Sequence, residues 1–148
     1  MRVAHEPPTD LSAYPYRHRL RVRFAETDAM GIVHHSSYLL YLEEARVAFL
    51  RDCDHPYDRF RAEGLDITVL EVFTQYVRPA HFDDLVVVHV AVSAVTRTTF
   101  QVDYALTVDD VVCARAVTVH ACIDSTGRPL RLPTWLNEIN DRAALLAT

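Results

Sequence analysis

Polar and nonpolar positions alternate in the first patterned stretch of the chain, residues 17–24. Arginine occupies every odd position, whereas the even positions hold histidine or apolar residues up to Phe24. A period of two residues is typical of a half-buried strand. The pattern therefore predicts a strand whose even positions, including Phe24, face the core, and whose arginine face meets solvent or a partner.

A different pattern begins at Ser36. Residues 38–50 contain neither glycine nor proline, and their polar positions form only a narrow stripe. Ser36 or Ser37 can serve as the N-cap residue of a helix. Because a helix that is apolar nearly all round is typically buried, the segment predicts a long central helix. A shorter helix is predicted at residues 56–63.

The chain becomes strand-rich after Gly64. The pattern predicts four further strands, at residues 67–77, 85–95, 100–108 and 111–123. Asp109-Asp110 is typical of a tight hairpin turn. Residues 134–146 predict a short C-terminal helix.

This element order predicts an α+β fold in which a five-stranded, mostly antiparallel sheet wraps around the long helix. One sheet face covers the helix, and the other must face water or another subunit. We expect a single domain at residues 16–148, preceded by a flexible arm at residues 1–15.

Composition narrows the classes of function. A net charge of −5 disfavours a nucleic-acid-binding protein, which needs a basic surplus. The three cysteines lack paired spacing, so reduced thiols are favoured over a disulfide framework. No signal-peptide core and no run of about 18 apolar residues is present, which predicts a cytoplasmic protein without a membrane segment.

The junction between the first strand and the long helix carries the most specific motif. Its spacing is long enough to distinguish it from a chance match of three residues. In order along the chain it reads Thr27-Asp28-x-x-Gly31, an apolar pair, His34-His35, Tyr38 and Glu44-Ala45-Arg46.

This junction resembles that of the 4-hydroxybenzoyl-CoA thioesterase-like family of hotdog proteins, in particular its small acyl-CoA thioesterase branch. The resemblance covers about residues 17–136. It implies the hotdog fold and hydrolysis of an acyl-CoA thioester to a free acid and CoA, with no cofactor.

The resemblance also implies roles for three residues of the motif. Asp28 is the expected catalytic carboxylate, either as general base on water or as a nucleophile that forms a mixed anhydride. The sequence leaves both routes open. Gly31 permits close approach of the backbone to the substrate. The backbone N–H of His35, at the helix N-terminus, is expected to polarise the thioester carbonyl.

Five further residues are candidates for substrate binding. We expect His34 to contact the substrate and Tyr38 to line the acyl pocket. Thr98 and Thr99 are expected to approach the site from the facing strand. Arg97 is a candidate for binding the CoA phosphates.

Other features modify this picture. The pair His34-His35 lacks further ligands at zinc-site spacing, so no metal is expected. Glu44 and its neighbour Glu43 could be catalytic in another hotdog branch, but structural pairing with Arg46 is favoured. Close relatives often have Tyr where this chain has Phe24, and the bulk of Met30 is expected to reshape the acyl pocket.

The sequence leaves two alternative functions open and disfavours a third. One is a thioesterase acting on acyl carrier protein, whose acidic surface could dock on the arginine face. Another is a non-catalytic acyl-CoA-binding protein. A hydratase is disfavoured because its motif is absent. An open sheet edge is a liability for a lone subunit, so we expect a homodimer or homotetramer.

Overall fold

One antiparallel sheet forms the framework of the protein, whose computed structural model describes residues 1–147. Its strands are β1 (Tyr16–Arg21), β2 (Asp66–Tyr76), β3 (Leu85–Ser93), β4 (Thr99–Val108), β5 (Val111–Ile123) and β6 (Pro129–Leu130). The α-helices are α1 (Ser37–Asp52), α2 (Tyr57–Ala62) and α3 (Ile139–Leu146). Short 3-10 helices lie at Leu11–Ala13, Phe24–Glu26 and Thr134–Asn137. None of the helices within residues 1–147 is long and apolar enough to cross a membrane.

The five long strands follow the order β1-β3-β4-β5-β2, and each neighbouring pair is antiparallel. The predicted α+β architecture is confirmed, and the hairpin between β4 and β5 turns at Asp109 and Asp110, which both have positive φ. The predicted set of five strands lacked β6, which forms because the turn at residues 124–127 folds the chain back onto the end of β5.

Helix α1 packs against β1 and β3, which places the main core on one side of the sheet. The helix is less enclosed than predicted, since Leu39 and Leu40 are 43% and 58% exposed. The predicted pairing of Glu43 or Glu44 with Arg46 is wrong. Arg46 is buried on the sheet side of α1, whereas Glu44 lies outside and its Oε1 is 2.8 Å from Nε2 of His18.

Strand β1 ends earlier than the alternation predicts. The N–H of Val22 donates to the Asp84 carbonyl at 3.0 Å, and the chain then turns into a 3-10 helix instead of continuing the strand. Phe24 is consequently 75% exposed and packs edge-to-face on Phe82, with ring centroids 5.7 Å apart. The prediction that Phe24 faces the core is wrong.

The outer face of the sheet is covered in its middle by the N-terminal arm. Gln101 and Asp103 are each only 1% exposed. The Gln101 amide accepts the N–H of Ala4 at 2.9 Å and donates to the His5 carbonyl at 3.0 Å. The N-terminal arm of the same chain thus shields part of the sheet face that was expected to face water or another subunit. The flexibility of this arm in solution stays a prediction.

Edge strand β2 is the least covered part of the sheet. Within residues 1–147 it pairs only with β5, and four of its large apolar or aromatic side chains are 43–49% exposed. A bulge between Val69 and Glu71 shifts its register. These apolar side chains on an unpaired edge mark β2 as the strand that most needs a partner. The four side chains are Val69, Val72, Phe73 and Tyr76.

Candidate active site

A tight turn at Asp28–Gly31 presents the predicted catalytic carboxylate. The Gly31 N–H donates to the Asp28 carbonyl at 2.9 Å, and the Met30 N–H donates to Asp28 Oδ1 at 2.8 Å. Gly31 has φ +77°, a conformation that side chains disfavour. Oδ2 of Asp28 has no hydrogen-bond partner among residues 1–147, so it is available to a water molecule or a substrate.

Two backbone contacts fix this loop on the sheet. Val33 N–H donates to the Ala80 carbonyl at 2.8 Å, and Ile32 forms an antiparallel bridge with His81. The loop therefore rests on the segment that follows β2. This contact explains why residues far apart in the sequence meet at one site.

Glu26 braces the loop from inside. Its Oε1 accepts the Arg23 N–H at 2.8 Å and the Tyr41 hydroxyl at 3.0 Å. Its backbone carbonyl accepts the His34 N–H at 2.8 Å and the Ser37 hydroxyl at 3.1 Å. Burial alone would raise the pKa of Glu26, but the hydrogen bonds from Arg23 and Tyr41 outweigh it and the pKa is lowered. The sequence analysis missed Glu26, whose only signal was its place two residues before Asp28.

His35 precedes Ser36, the N-cap residue of α1, and its carbonyl is held by a residue of β2. Its carbonyl accepts the Tyr76 hydroxyl at 2.8 Å, while its own N–H has no acceptor among residues 1–147. N–H groups before the first helical turn have no intrahelical partner, and the helix dipole favours a negative charge there. The His35 N–H is therefore a donor available to an oxyanion.

His34 has a structural role beside it. Its Nδ1 accepts the Ser36 N–H at 3.2 Å and lies 2.8 Å from Ser36 Oγ, and its ring lies 4.1 Å from the His35 ring. Ser36 is the N-cap residue, but its own side chain makes no capping hydrogen bond. His34 thus stabilises the helix start. It does not line the neighbouring cleft of this chain, and its predicted contact with the substrate stays a prediction.

A cleft of about 430 Å³ joins these groups. It lies between the Asp28 turn, the start of α1 and the end of β2 with the loop that follows. Tyr38 is buried in its wall, where burial raises the tyrosine pKa, and packs edge-to-face on Tyr76 at 5.1 Å. Arg78 adds a positive charge to a lining that is otherwise mostly apolar. The sequence analysis did not select Tyr76 or Arg78 as site residues, because only the register of β2 brings them here.

Arg97, Thr98 and Thr99 lie elsewhere in the same chain. Thr99 pairs with Ala121 near the end of β5, whereas the cleft loop contacts Cys113 at its start through the Val77 N–H. Eight strand residues separate these points, or about 26 Å at 3.3 Å per residue. One chain alone does not bring these three residues to the cleft, and their role in substrate binding stays a prediction.

Other reactive groups are not placed for this site. No group of three or more metal-ligating side chains occurs within residues 1–147. All three cysteines are buried, and burial raises the pKa of the Cys53 and Cys122 thiols to about 11. A thiol with so high a pKa is a poor nucleophile near neutral pH.

Comparison with known proteins identifies the family. Residues 22–139 match the thioesterase-like superfamily. A putative esterase from Aquifex aeolicus is 39% identical over 125 residues, which are 84% of this chain and 97% of that protein. A 1,4-dihydroxy-2-naphthoyl-CoA hydrolase from Nostoc punctiforme is 30% identical over 129 residues, covering 83% of this chain and 86% of that protein.

Solved structures give the same result. The crystal structure of a hypothetical protein from Aquifex aeolicus superimposes with a TM-score of 0.80 at 38% identity, covering 84% of this chain and 98% of that chain. The sequence match spans most of the domain and includes the whole loop that carries Asp28. The chain therefore belongs to the thioesterase-like superfamily, has the hotdog fold and is an enzyme of the acyl-CoA thioesterase class.

Proposed function

We propose that this enzyme hydrolyses acyl-CoA with Asp28 as the catalytic carboxylate and the His35 N–H as the donor to the carbonyl oxygen. The observation that carries the proposal is that both residues line one cleft, each with a polar atom that lacks a partner in residues 1–147. A hydrolytic site needs a carboxylate near the carbonyl carbon and a donor near its oxygen.

Two routes fit this arrangement. In the first, Asp28 takes a proton from water as the oxygen attacks the thioester carbon, and the tetrahedral oxyanion collapses to expel CoA thiolate. In the second, Asp28 attacks directly, expels the thiolate and forms a mixed anhydride that water then hydrolyses. Both routes yield free acid and CoA. In both, negative charge develops on the carbonyl oxygen, where the His35 N–H and the α1 dipole stabilise it.

The functional unit that we propose is a homodimer joined along the β2 edges, which could pair further into a homotetramer. The half-exposed apolar side chains of β2 support this assembly. Antiparallel pairing of two β2 strands about a two-fold axis places the far end of the partner sheet beside the cleft. Thr98 and Thr99 of the partner subunit could then approach the substrate, which reconciles their position with the predicted role.

The charge distribution favours CoA over acyl carrier protein as the group that carries the acyl chain. Arg78 lies in the cleft itself, where it is a candidate to bind an anionic part of CoA. The exposed arginine face belongs to β1, the sheet edge opposite β2. A carrier docked on that face would lie across the sheet from the β2 edge that borders the cleft.

Thiol release from a panel of acyl-CoAs tests the proposal. The panel contains straight-chain acyl groups of several lengths together with benzoyl and phenylacetyl groups, and the same acyl groups on acyl carrier protein form a second arm. We expect turnover of CoA thioesters by the wild-type enzyme and its loss in Asp28→Asn with the oligomer intact. Turnover restricted to the carrier arm would contradict the CoA assignment, and binding without turnover in either arm would indicate a non-catalytic acyl-CoA-binding protein.

A further inference from the structure

One backbone carbonyl, that of Glu26, connects the two halves of the proposed site. It accepts the His34 N–H at 2.8 Å and the Ser37 hydroxyl at 3.1 Å. Glu26 lies two residues before Asp28. His34 and Ser37 lie on either side of His35. The segment that carries the carboxylate and the segment that carries the proposed oxyanion donor therefore meet at a single oxygen atom.

The residues around His35 form a tight turn. The N–H of Ser37 donates to the His34 carbonyl at 2.9 Å. Because a peptide group is planar, that carbonyl and the His35 N–H lie in one plane and move together. The backbone of Ser37 thus fixes the orientation of the N–H that is proposed to bind the oxyanion.

The Ser37 hydroxyl controls where this turn lies relative to Asp28. The turn begins at His34, whose N–H is bound to the Glu26 carbonyl, and it ends at Ser37, whose hydroxyl is bound to the same atom. With both hydrogen bonds present, both ends of the turn are held at one point. Without the hydroxyl, only the His34 end is held, and the N–H between the two ends is free to move away from the carboxylate.

The hydrogen bond from Ser37 lies in a buried environment. Ser37 and Glu26 are each only 8% exposed, so water has little access to replace the hydroxyl. One helical turn later, the Tyr41 hydroxyl donates to the Glu26 carboxylate at 3.0 Å. Helix α1 is therefore fixed to Glu26 at two points, the backbone and the side chain. A donor that is already held in place stabilises a developing oxyanion without having to reorient.

The neighbouring serine, Ser36, makes a different contact. It is exposed, and its Oγ lies 2.8 Å from Nδ1 of the His34 ring, within the same turn. The Ser37 hydroxyl instead bonds a residue that is eleven positions away in the sequence. Two adjacent hydroxyl groups at one helix start thus differ in whether they reach the segment that carries Asp28, which makes Ser36 a matched control.

We propose that Ser37 is a positioning residue for hydrolysis, whose hydroxyl holds the His35 N–H at the place where the oxyanion forms beside Asp28. This inference rests on the proposed function, because it requires Asp28 and His35 in the roles given above. Ser37 acts through the backbone and does not line the cleft. A displaced donor stabilises the transition state less, while binding of the substrate by the cleft walls changes little. The loss should therefore fall on kcat rather than on KM.

Steady-state kinetics of Ser37→Ala test the inference. We expect kcat to fall about tenfold with KM nearly unchanged, a smaller loss than the roughly 10²–10³-fold that follows removal of an oxyanion donor. The variant should fold, because the Glu26 carbonyl keeps the His34 N–H and no buried acceptor is left unpaired. Thermal unfolding checks this.

Two further variants separate the hydrogen bond from the stability of the helix start. Ser37→Thr keeps a hydroxyl at this position and should retain most of the wild-type kcat. Ser36→Ala removes the adjacent hydroxyl and should leave kcat unchanged. Equal losses in Ser36→Ala and Ser37→Ala, or a kcat in Ser37→Thr as low as in Ser37→Ala, would overturn the inference.

An infrared measurement distinguishes failure of this inference from failure of the proposed function. The probe is the acyl-CoA of the panel with the highest kcat/KM, isotopically labelled at the thioester carbonyl and bound to Asp28→Asn. We expect the carbonyl stretching frequency to fall on binding, because the His35 N–H polarises the bond, and to return part of the way when Ser37→Ala is added. Equal frequencies with and without Ser37→Ala would overturn the inference and leave the thioesterase intact. No fall in Asp28→Asn would contradict the donor role of His35, and the inference with it.

Discussion

Two turns in this protein have the same local geometry, but they differ in their surroundings, and Asp28 of the first turn lines the cleft at the start of α1. Asp28–Gly31 and Asp124–Gly127 share the pattern Asp-x-x-Gly, and each glycine has positive φ, at +77° and +84°. In both turns the glycine N–H donates to the aspartate carbonyl and the aspartate Oδ1 accepts a backbone N–H two residues on. The turn alone therefore does not define a catalytic aspartate.

The surroundings of the two turns differ. Oδ1 of Asp124 also accepts the Thr126 hydroxyl at 2.6 Å and the Arg128 N–H at 3.0 Å, and these hydrogen bonds lower its pKa. The turn links β5 to β6 in solvent. The Asp28 turn instead lies against an apolar cleft, beside a helix N-terminus and an open strand. Under the proposed function, it is these neighbours that would make Asp28 catalytic, and variants that remove them one at a time test that idea.

The largest expected effect is a loss of kcat when Asp28 is replaced, with the same replacement of Asp124 as the control. Asp28→Asn should lower kcat by about 10²–10⁴-fold, the usual contribution of a positioned general base. Asp124→Asn keeps the same kind of turn and should leave kcat unchanged. Steady-state thiol release measures both, and thermal unfolding checks that both variants fold. Equal losses in the two variants would mean that turn geometry, rather than the cleft, decides activity.

The second effect concerns the open edge beside the Asp28 turn. Val72→Lys places a charge on the exposed inner face of β2, so we expect dissociation to monomers and at least a tenfold loss of kcat/KM. Arg19→Glu changes a charge on the opposite edge strand, β1, and should leave the assembly intact. Sedimentation velocity measures the oligomer. A fully active monomer would contradict a site shared between subunits.

The third effect concerns the backbone on either side of the His35 Cα. Tyr76→Phe removes the hydroxyl that donates to the His35 carbonyl, so the neighbouring N–H is held less firmly. One hydrogen bond contributes about 0.5–1.5 kcal/mol, which predicts a two- to tenfold fall in kcat. Tyr14→Phe removes a comparable hydroxyl bond, to the Pro8 carbonyl on the outer face, and should not change kcat. Unchanged kcat in Tyr76→Phe would show that the bond does not position the donor.

The smallest effect is on stability and concerns the brace of the Asp28 loop. The folded-state pKa of Glu26 lies below its ordinary value of 4.5, so its stabilising contribution is present above that pH and is lost as the pH falls through the folded-state pKa. Glu26→Gln should lower the free energy of unfolding at pH 7 by about 1–2 kcal/mol. It should also flatten the decrease in stability at acid pH. Urea unfolding between pH 3 and pH 7 measures both, and an unchanged acid slope would assign the pH dependence to other carboxylates.

Much of the architecture was predictable because the periodicity of strands and helices depends on residues that are close together in the sequence. The alternation in β4 identified that strand, and the unbroken run of α1 identified the helix. Asp109-Asp110 identified the hairpin between β4 and β5. The ends were less predictable. Phe24 continued the alternation of β1, but a hydrogen bond from Val22 to the distant Asp84 ended the strand. The short strand β6 had no periodic signal because two residues cannot show one.

Local sequence patterns were enough to predict the order of elements, the Asp28 turn and the start of α1 after His35, since each depends on neighbouring residues. Their surroundings depend on contacts between segments that are distant in the sequence. Tyr76 and Arg78 reach the cleft because β2 pairs with β5 in a particular register. Arg46 meets Tyr104 because α1 packs on the inner face of the sheet. Contacts between distant segments follow from packing and strand register, which no local pattern encodes.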